Sequence, residues 1–164
     1  MTAQVRAAFG LGSNLGDRQD ALDRAVATIA EASGIVVVAV SGYVESDPVG
    51  GPEQPDYLNA VVVVDTTCDP FELLAVARRC EEGAGRVRHV RWGPRTLDVD
   101  VLAADGMVLD SPELTLPHPR ATERAFVMLP WAEVDPDFVI DGRRVSDWAH
   151  DLDRSGLRPA DGAR

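Results

Sequence analysis

An α+β fold built on an antiparallel sheet is predicted for this chain of 164 residues, and three observations predict it. Four apolar, β-branched segments and two amphipathic ones follow each other in the order β-α-β-β-α-β. The second and third strands are joined by DPVGGPEQPD, a run of Pro, Gly and acid too short for the helix that a parallel crossover requires. Hydrophobic residues make up 45% and charged residues 26% of the chain, ordinary values for one globular domain that buries about 70% of its unfolded surface.

VRAAFGL (Val5 to Leu11) reads as the first strand, and GSNLGD turns the chain with Ser13 or Asn14 as a helix cap. In DRQDALDRAVATIAEA, Leu22, Val26 and Ile29 form the apolar stripe of a helix that Gly34 ends. IVVVAVSGYVES (Ile35 to Ser46) is a strand, and YLNAVVVVDT (Tyr57 to Thr66) is another after the Pro/Gly loop. DPFELLAVARRCEEGAG is the second helix, with Asp69 as cap, Pro70 at the first helical position and Gly83 or Gly85 near its end. The loop RVRHVRWGP leads into the strand TLDVDVLAA. This is the split βαββαβ arrangement of a ferredoxin-like core, with helices on one face of the sheet. Beyond it, a short strand is expected at Met107 to Leu109 and a helix at ATERAFVMLPWAEV. DFVIDGRRV should form a hairpin about Asp141-Gly142, and VSDWAHDL a last helical turn. Residues 1–154 are expected to form a single domain, with the Gly/Pro-rich 155–164 as a flexible tail.

No apolar run approaches the roughly 20 residues of a membrane span, and the first residues lack a signal-peptide pattern. Cys68 and Cys80 match neither a metal spacing nor a disulfide framework and sit among apolar residues, as buried thiols do. A soluble, cytoplasmic protein is expected. The net charge of -11 opposes broad nucleic-acid binding. Every basic residue is arginine, and six of them (Arg78, Arg79, Arg86, Arg88, Arg91, Arg95) crowd together against only Glu81 and Glu82. Such a cluster on an acidic protein fits a small, highly charged anion, and it fits a solvated helix end and loop equally well.

GLGSNLG follows a strand and opens a helix. Its G-x-G-x-x-x-G spacing is one residue longer than the dinucleotide fingerprint, and no Gly-Lys-Ser/Thr makes it a phosphate loop. These glycines are read as turn geometry. Asp98 and Asp100 are two apart on a strand, so both project from one face while Leu97, Val99 and Val101 project from the other. Carboxylates side by side repel unless something positive lies between them. A pair of hard divalent cations bridging phosphates fits this geometry; so does a solvent-open strand face, or ion pairing to Arg95. Tyr57 and Asn59 are also two apart and could offer a stacking ring and a hydrogen-bonding amide to a flat heteroaromatic ligand, with Phe126 closing the slot. Each aromatic taken alone fits core packing. His118, held between two prolines, and His89 in the arginine loop are each a phosphate donor or a surface histidine.

GSNLGDR, GGPEQPDYLNAVV, GRVRHVRWGPRTLDVDVL and LPHPRATERAFVMLP together resemble the 6-hydroxymethyl-7,8-dihydropterin pyrophosphokinase family of folate biosynthesis, from about Phe9 to Pro136. The resemblance implies transfer of a pyrophosphoryl group from ATP to the pterin hydroxymethyl oxygen, with release of AMP. It also implies an αβα layered sandwich, two magnesium ions and a monomer. By motif, Asp98 and Asp100 would ligate both magnesium ions, and Arg86 and Arg95 would join them in catalysis. Tyr57 and Phe126 would sandwich the pterin, with Asn59 and the backbone from Ser46 to Val49 reading its polar edge. Arg86, Arg95, His118 and Arg124 would hold the triphosphate. Glu81, Arg88, Arg91 and Trp92 would belong to the nucleotide side, Trp92 reaching the pterin as well, and Thr115 would lie near the ribose and phosphates. The chain departs from the family pattern at His89, where a lysine can stand, at Pro119 in place of an aromatic, and at Asp47 in place of a proline. The loops from Asp47 to Asp56 and from Ala84 to Pro94 are expected to close over the substrates. Two other readings remain: a non-catalytic nucleotide- or metabolite-binding module on the same fold, and a nucleotidyltransferase attacking the α-phosphorus.

Overall fold

A computed structural model describes residues 3–47, 55–84 and 97–160. Its first half runs β1 (Val5–Ser13), α1 (Arg18–Glu31), β2 (Ile35–Val40), β3 (Val44–Ser46), β4 (Tyr57–Thr66), α2 (Pro70–Gly83) and β5 (Asp98–Ala104). Then come β6 (Leu109–Asp110), β7 (Thr115–Leu116), a short 3-10 turn (Ala121–Glu123), α3 (Ala125–Val134), β8 (Val139–Ile140), β9 (Arg143–Arg144), α4 (Val145–His150) and β10 (Leu157–Pro159). β1 is central, antiparallel to β4 on one side and to β5 on the other. β2 and β3 pair with successive lengths of β4, and β10 extends the sheet beyond β3. The ferredoxin-like order predicted from the sequence is therefore present.

Local chemistry sets the ends of the two long helices. Asp69 and Glu72 form a reciprocal capping box, each side chain accepting from the other's backbone N–H at 2.8 Å, and Pro70 starts α2 where no N–H is needed. α1 is capped by Asp17, whose carboxylate accepts from Asp20 N at 3.0 Å, and not by Ser13 or Asn14. The reason lies in the sheet: β4 offers pairing partners as far as Leu58, so β1 stays extended through Ser13.

Two other elements differ from expectation. The strand expected from Ile35 to Ser46 is two strands. Ser41 Oγ accepts Val61 N at 2.9 Å where a strand carbonyl would, and the chain bends through Gly42 before pairing with β4 again. The residues from Ser155, expected to be a flexible tail, include β10, which pairs with β3 in register Leu157↔Ser46, Arg158↔Glu45 and Pro159↔Val44. Composition gave no sign of a strand here, because what orders it is an edge that β3 presents more than a hundred residues earlier. The hairpin does form at Asp141 (φ 50) and Gly142 (φ 80), the two positive-φ positions such a two-residue turn demands.

Each face of the sheet has its own core. Under α1 and α2, Leu22, Ile29, Leu73 and Ala77 pack on Phe9, Leu11, Val62, Val64, Val99 and Val101. Under α3 and α4, Met128, Trp131 and Phe138 pack on Ala8, Val61, Val63 and Leu102. Each large side chain buried here contributes roughly 1.5–3 kcal/mol of transfer free energy. Helices on both faces make the expected αβα layering. Both cysteines are free and buried, and burial pushes the Cys80 thiol up to about 11, so it stays protonated and inert. Among the described residues, no helix is long and apolar enough to cross a membrane.

Candidate active site

Three neighbouring strands each bring a pair of residues, two apart, to the face of the sheet that α3 partly covers. β1 supplies Gly10 and Gly12, β4 supplies Tyr57 and Asn59, and β5 supplies Asp98 and Asp100. Register aligns the pairs: Gly12 lies opposite Asn59 on one side and Asp98 on the other, and Gly10 lies opposite Asp100. The intervening Leu11, Leu58 and Val99 point into the other core.

A cavity of about 160 Å³ opens over these pairs, completed by Ser46 and Asp47 at the end of β3 and by Arg124, Phe126 and Val127 at the start of α3. The glycines are its floor. A Cβ at Gly12 would stand 3.4 Å from Asn59 Oδ1 and 3.6 Å from Tyr57 Cδ1, ordinary contact distances, and would take up part of the cavity. Gly10 and Gly12 are thus strand residues and not the turn geometry expected of them; of the motif's three glycines only Gly16, at φ 75, has a positive φ.

Asn59 is 3% exposed, and its amide nitrogen donates to Ser46 Oγ at 2.8 Å and Val44 O at 3.2 Å. Its Oδ1 is turned toward Gly12 as an acceptor for a ligand N–H. Arg124 sits just before α3 with its guanidinium 5.7 Å from the Phe126 ring centre, which holds the ring by a cation–π contact.

Asp98 and Asp100 are both half-buried. Val99, between them, donates its N–H to Glu81 Oε2 at 2.9 Å. Glu81, expected on the nucleotide side, is a buried carboxylate on α2 that grips the strand carrying the aspartates. Two carboxylates lining one cavity are hard oxygen donors, and magnesium takes one or two of these with water and phosphate completing its shell. The residues present fit such a site. Among the described residues no cluster of three or more His, Cys, Asp or Glu forms a cage made of protein alone.

Beyond Asp100 lies a second cleft of about 230 Å³, lined by Thr115, His118 and Pro119 with Asp100 at its margin. His118 Nδ1 accepts from Arg120 N at 3.2 Å, so in the neutral ring the proton is on Nε2, 4.0 Å from Asp100 Oδ2. Burial lowers the imidazole below its ordinary value against the upward pull of Asp100, and Arg124 and Arg120 lower it further.

The structure therefore gathers Ser46, Tyr57, Asn59, Asp98, Asp100, Arg124 and Phe126 round one cavity, and Thr115 and His118 round its neighbour. Val49, Arg86, Arg88, His89, Arg91, Trp92 and Arg95 lie outside the described residues, as do most of both loops expected to close. Reasoning from the sequence missed Gly10 and Gly12, although their two-residue spacing matches that of the pairs it did find. Asp47, within the Ser46 to Val49 segment expected at the pterin edge, lines the cavity.

A family model described as 7,8-dihydro-6-hydroxymethylpterin-pyrophosphokinase (HPPK) matches residues 8–136. The chain is 46% identical over 153 residues to the 2-amino-4-hydroxy-6-hydroxymethyldihydropteridine pyrophosphokinase of Methylorubrum extorquens, covering 93% of this chain and 97% of that protein. The protein of the same name from Bacillus subtilis is 44% identical over 126 residues, 77% of this chain and 75% of its own length. In fold, the chain is similar to wild-type Plasmodium falciparum HPPK-DHPS crystallised with pteroate, at a TM-score of 0.69 and 14% identity over 92% of this chain; it spans 42% of the length of that protein.

Proposed function

Because the chain belongs to the 7,8-dihydro-6-hydroxymethylpterin-pyrophosphokinase family, we propose that the cavity over β1, β4 and β5 seats the pterin and that the cleft beyond Asp100 takes the nucleotide phosphates. The chain is an enzyme that transfers pyrophosphate from ATP to 6-hydroxymethyl-7,8-dihydropterin, in folate biosynthesis.

On this reading Tyr57 and Phe126 stack on the two faces of the pterin, and Asn59 Oδ1 accepts from its N–H edge alongside the backbone from Ser46 to Val49. Asp98 and Asp100 would hold two magnesium ions, whose positive charge would offset that of the phosphate oxygens. Glu81 keeps the two carboxylates in place through Val99 N. Arg86, Arg95, His118 and Arg124 hold the triphosphate, and Arg88, Arg91, Trp92 and Thr115 complete the nucleotide side. The pterin hydroxymethyl oxygen attacks the β-phosphorus in line, forming a new O–P bond and releasing its proton to solvent as the bond from that phosphorus to the α-phosphate bridging oxygen breaks, and AMP leaves. The enzyme works as a cytoplasmic monomer.

The observation that carries this assignment is the meeting of Tyr57, Asn59 and Phe126 with Asp98 and Asp100 in one cavity. A flat polar ring and a metal-phosphate centre have to be adjacent for this reaction. Incubation with ATP, magnesium and 6-hydroxymethyl-7,8-dihydropterin should yield AMP and the pterin diphosphate. Free pyrophosphate would indicate nucleotidyl transfer, and binding without turnover a regulatory module.

A further inference from the structure

We infer that Arg158, on the C-terminal strand β10, is a positioning residue for the pterin cavity, gathering three carboxylates at its rim and so holding Ser46, Asp47 and Tyr57 in place. The inference rests on the pterin assignment above. Its residues lie partly beyond the 8–136 that the family model matches, in a stretch whose composition promised no structure.

The guanidinium of Arg158 faces three ways. Nε lies 3.4 Å from Glu45 Oε1, Nη1 lies 3.2 Å from Asp47 Oδ1, and Nη2 donates to Asp56 Oδ2. These three acids bracket the cavity residues in sequence. Ser46 sits between Glu45 and Asp47, Asp47 lines the cavity itself, and Tyr57 follows Asp56. The backbone carries the same link, since Arg158 is opposite Glu45 in the β10–β3 ladder and Ser46 is opposite Tyr57 in the β3–β4 ladder. Asp47 N also donates to Gly156 O at 3.2 Å, and a Cβ at Gly156 would come within 3.2 Å of Asp47 Oδ2, so the glycine lets that carboxylate approach.

Charge explains why one arginine matters. Arg158 meets all three carboxylates, whereas Arg18 meets one of them, Glu45 Oε2 at 2.7 Å, and otherwise donates to the Asp56 backbone carbonyl at 3.0 Å. Remove Arg158 and the Asp47 and Asp56 carboxylates lose the guanidinium that joins them to Glu45, and like charges push the end of β3 from the start of β4. A planar fork spreads its donors toward three separate carboxylates, whereas a lysine concentrates its three N–H groups at one point. The Asp98–Asp100 pair lies across β1 and β4 from this cluster, so chemistry and nucleotide binding should be spared.

The test compares the wild type with Arg158→Ala, Arg158→Lys and Arg158→Ala/Asp56→Asn. Pterin and ATP affinities are measured by titration and KM, with kcat alongside. Arg158→Ala should raise the pterin Kd and KM roughly tenfold while kcat and the ATP constants stay within about twofold. Arg158→Lys should fall between the two, at roughly threefold. The double variant should recover part of the loss, because one repelling carboxylate is gone. An unchanged pterin Kd in Arg158→Ala, or equal loss for ATP, overturns the inference. If that variant does not fold, Arg158→Lys decides in the same way. A wild type that makes no AMP would instead overturn the pyrophosphokinase reading beneath it.

Discussion

Two halves of one sheet face, side by side on the same three strands, do opposite work. Along β4 the residues on the α3 side read Val63, Val61, Asn59, Tyr57; along β1 they read Ala8, Gly10, Gly12; along β5, after a bulge, Leu102, Asp100, Asp98. The first member or two of each series lies under α3 and α4 in a dry core with Trp131 and Met128. The rest lie where the helix layer stops, and there they line the cavity. Strand geometry is the same in both halves, so what separates core from site is cover. Where helices exclude water the positions are aliphatic, and where they do not the positions are glycine, aromatic or polar.

The comparison breaks most sharply at Asp100. Asp100→Ala should lower kcat/KM by about 5 kcal/mol, some several-thousand-fold, with little change in stability. Near-normal turnover would refute the magnesium assignment. The mirror experiment is Trp131→Ala in the covered half, expected to cost about 4 kcal/mol in a denaturant titration while leaving the pterin KM of the folded protein unchanged. A large KM effect there would mean the two halves are mechanically coupled.

Smaller changes sharpen the boundary between the halves. Tyr57→Ala should weaken pterin binding by about 2 kcal/mol, roughly thirtyfold, and leave ATP alone; equal losses would move the pterin elsewhere. Gly12→Val tests whether the floor works as empty space, and a KM for pterin raised about tenfold, roughly 1.4 kcal/mol, is the expected answer. Asp69→Ala, far from both halves, should cost about 1 kcal/mol of stability through its cap and alter neither substrate's KM. A kinetic effect from this last variant would show that simple destabilisation reaches the site.

Much of the site was legible before any fold was known, because a strand displays alternate residues on one face whatever surrounds it. Tyr57 with Asn59 and Asp98 with Asp100 could be paired on spacing alone. Gly10 and Gly12 share that spacing and were still read as a turn, since a glycine's flexibility is visible in a sequence and the space it leaves is not. Glu81 was placed with its nucleotide-side neighbours by motif. Its bond to Val99 N depends on where α2 crosses β5, which no local pattern encodes. Thr115 and His118 were expected near the phosphates, and they lie with Asp100 on a separate cleft.

By itself the sequence determined most of the elements, the cap of α2 and the faces of its strands, because these depend on neighbours within a few residues: Asp69 with Glu72, Asp141 with Gly142, the alternation through Leu97–Asp98–Val99–Asp100. The tertiary structure alone decided which faces met. Register set Gly12 between Asn59 and Asp98, the edge of β3 ordered a Gly/Pro-rich tail into β10, and Arg158 came to join acids 102 and 111 residues away in the chain. Such contacts form only when distant segments are brought together by the burial of both cores, a global balance of apolar area against chain entropy that no window of sequence contains.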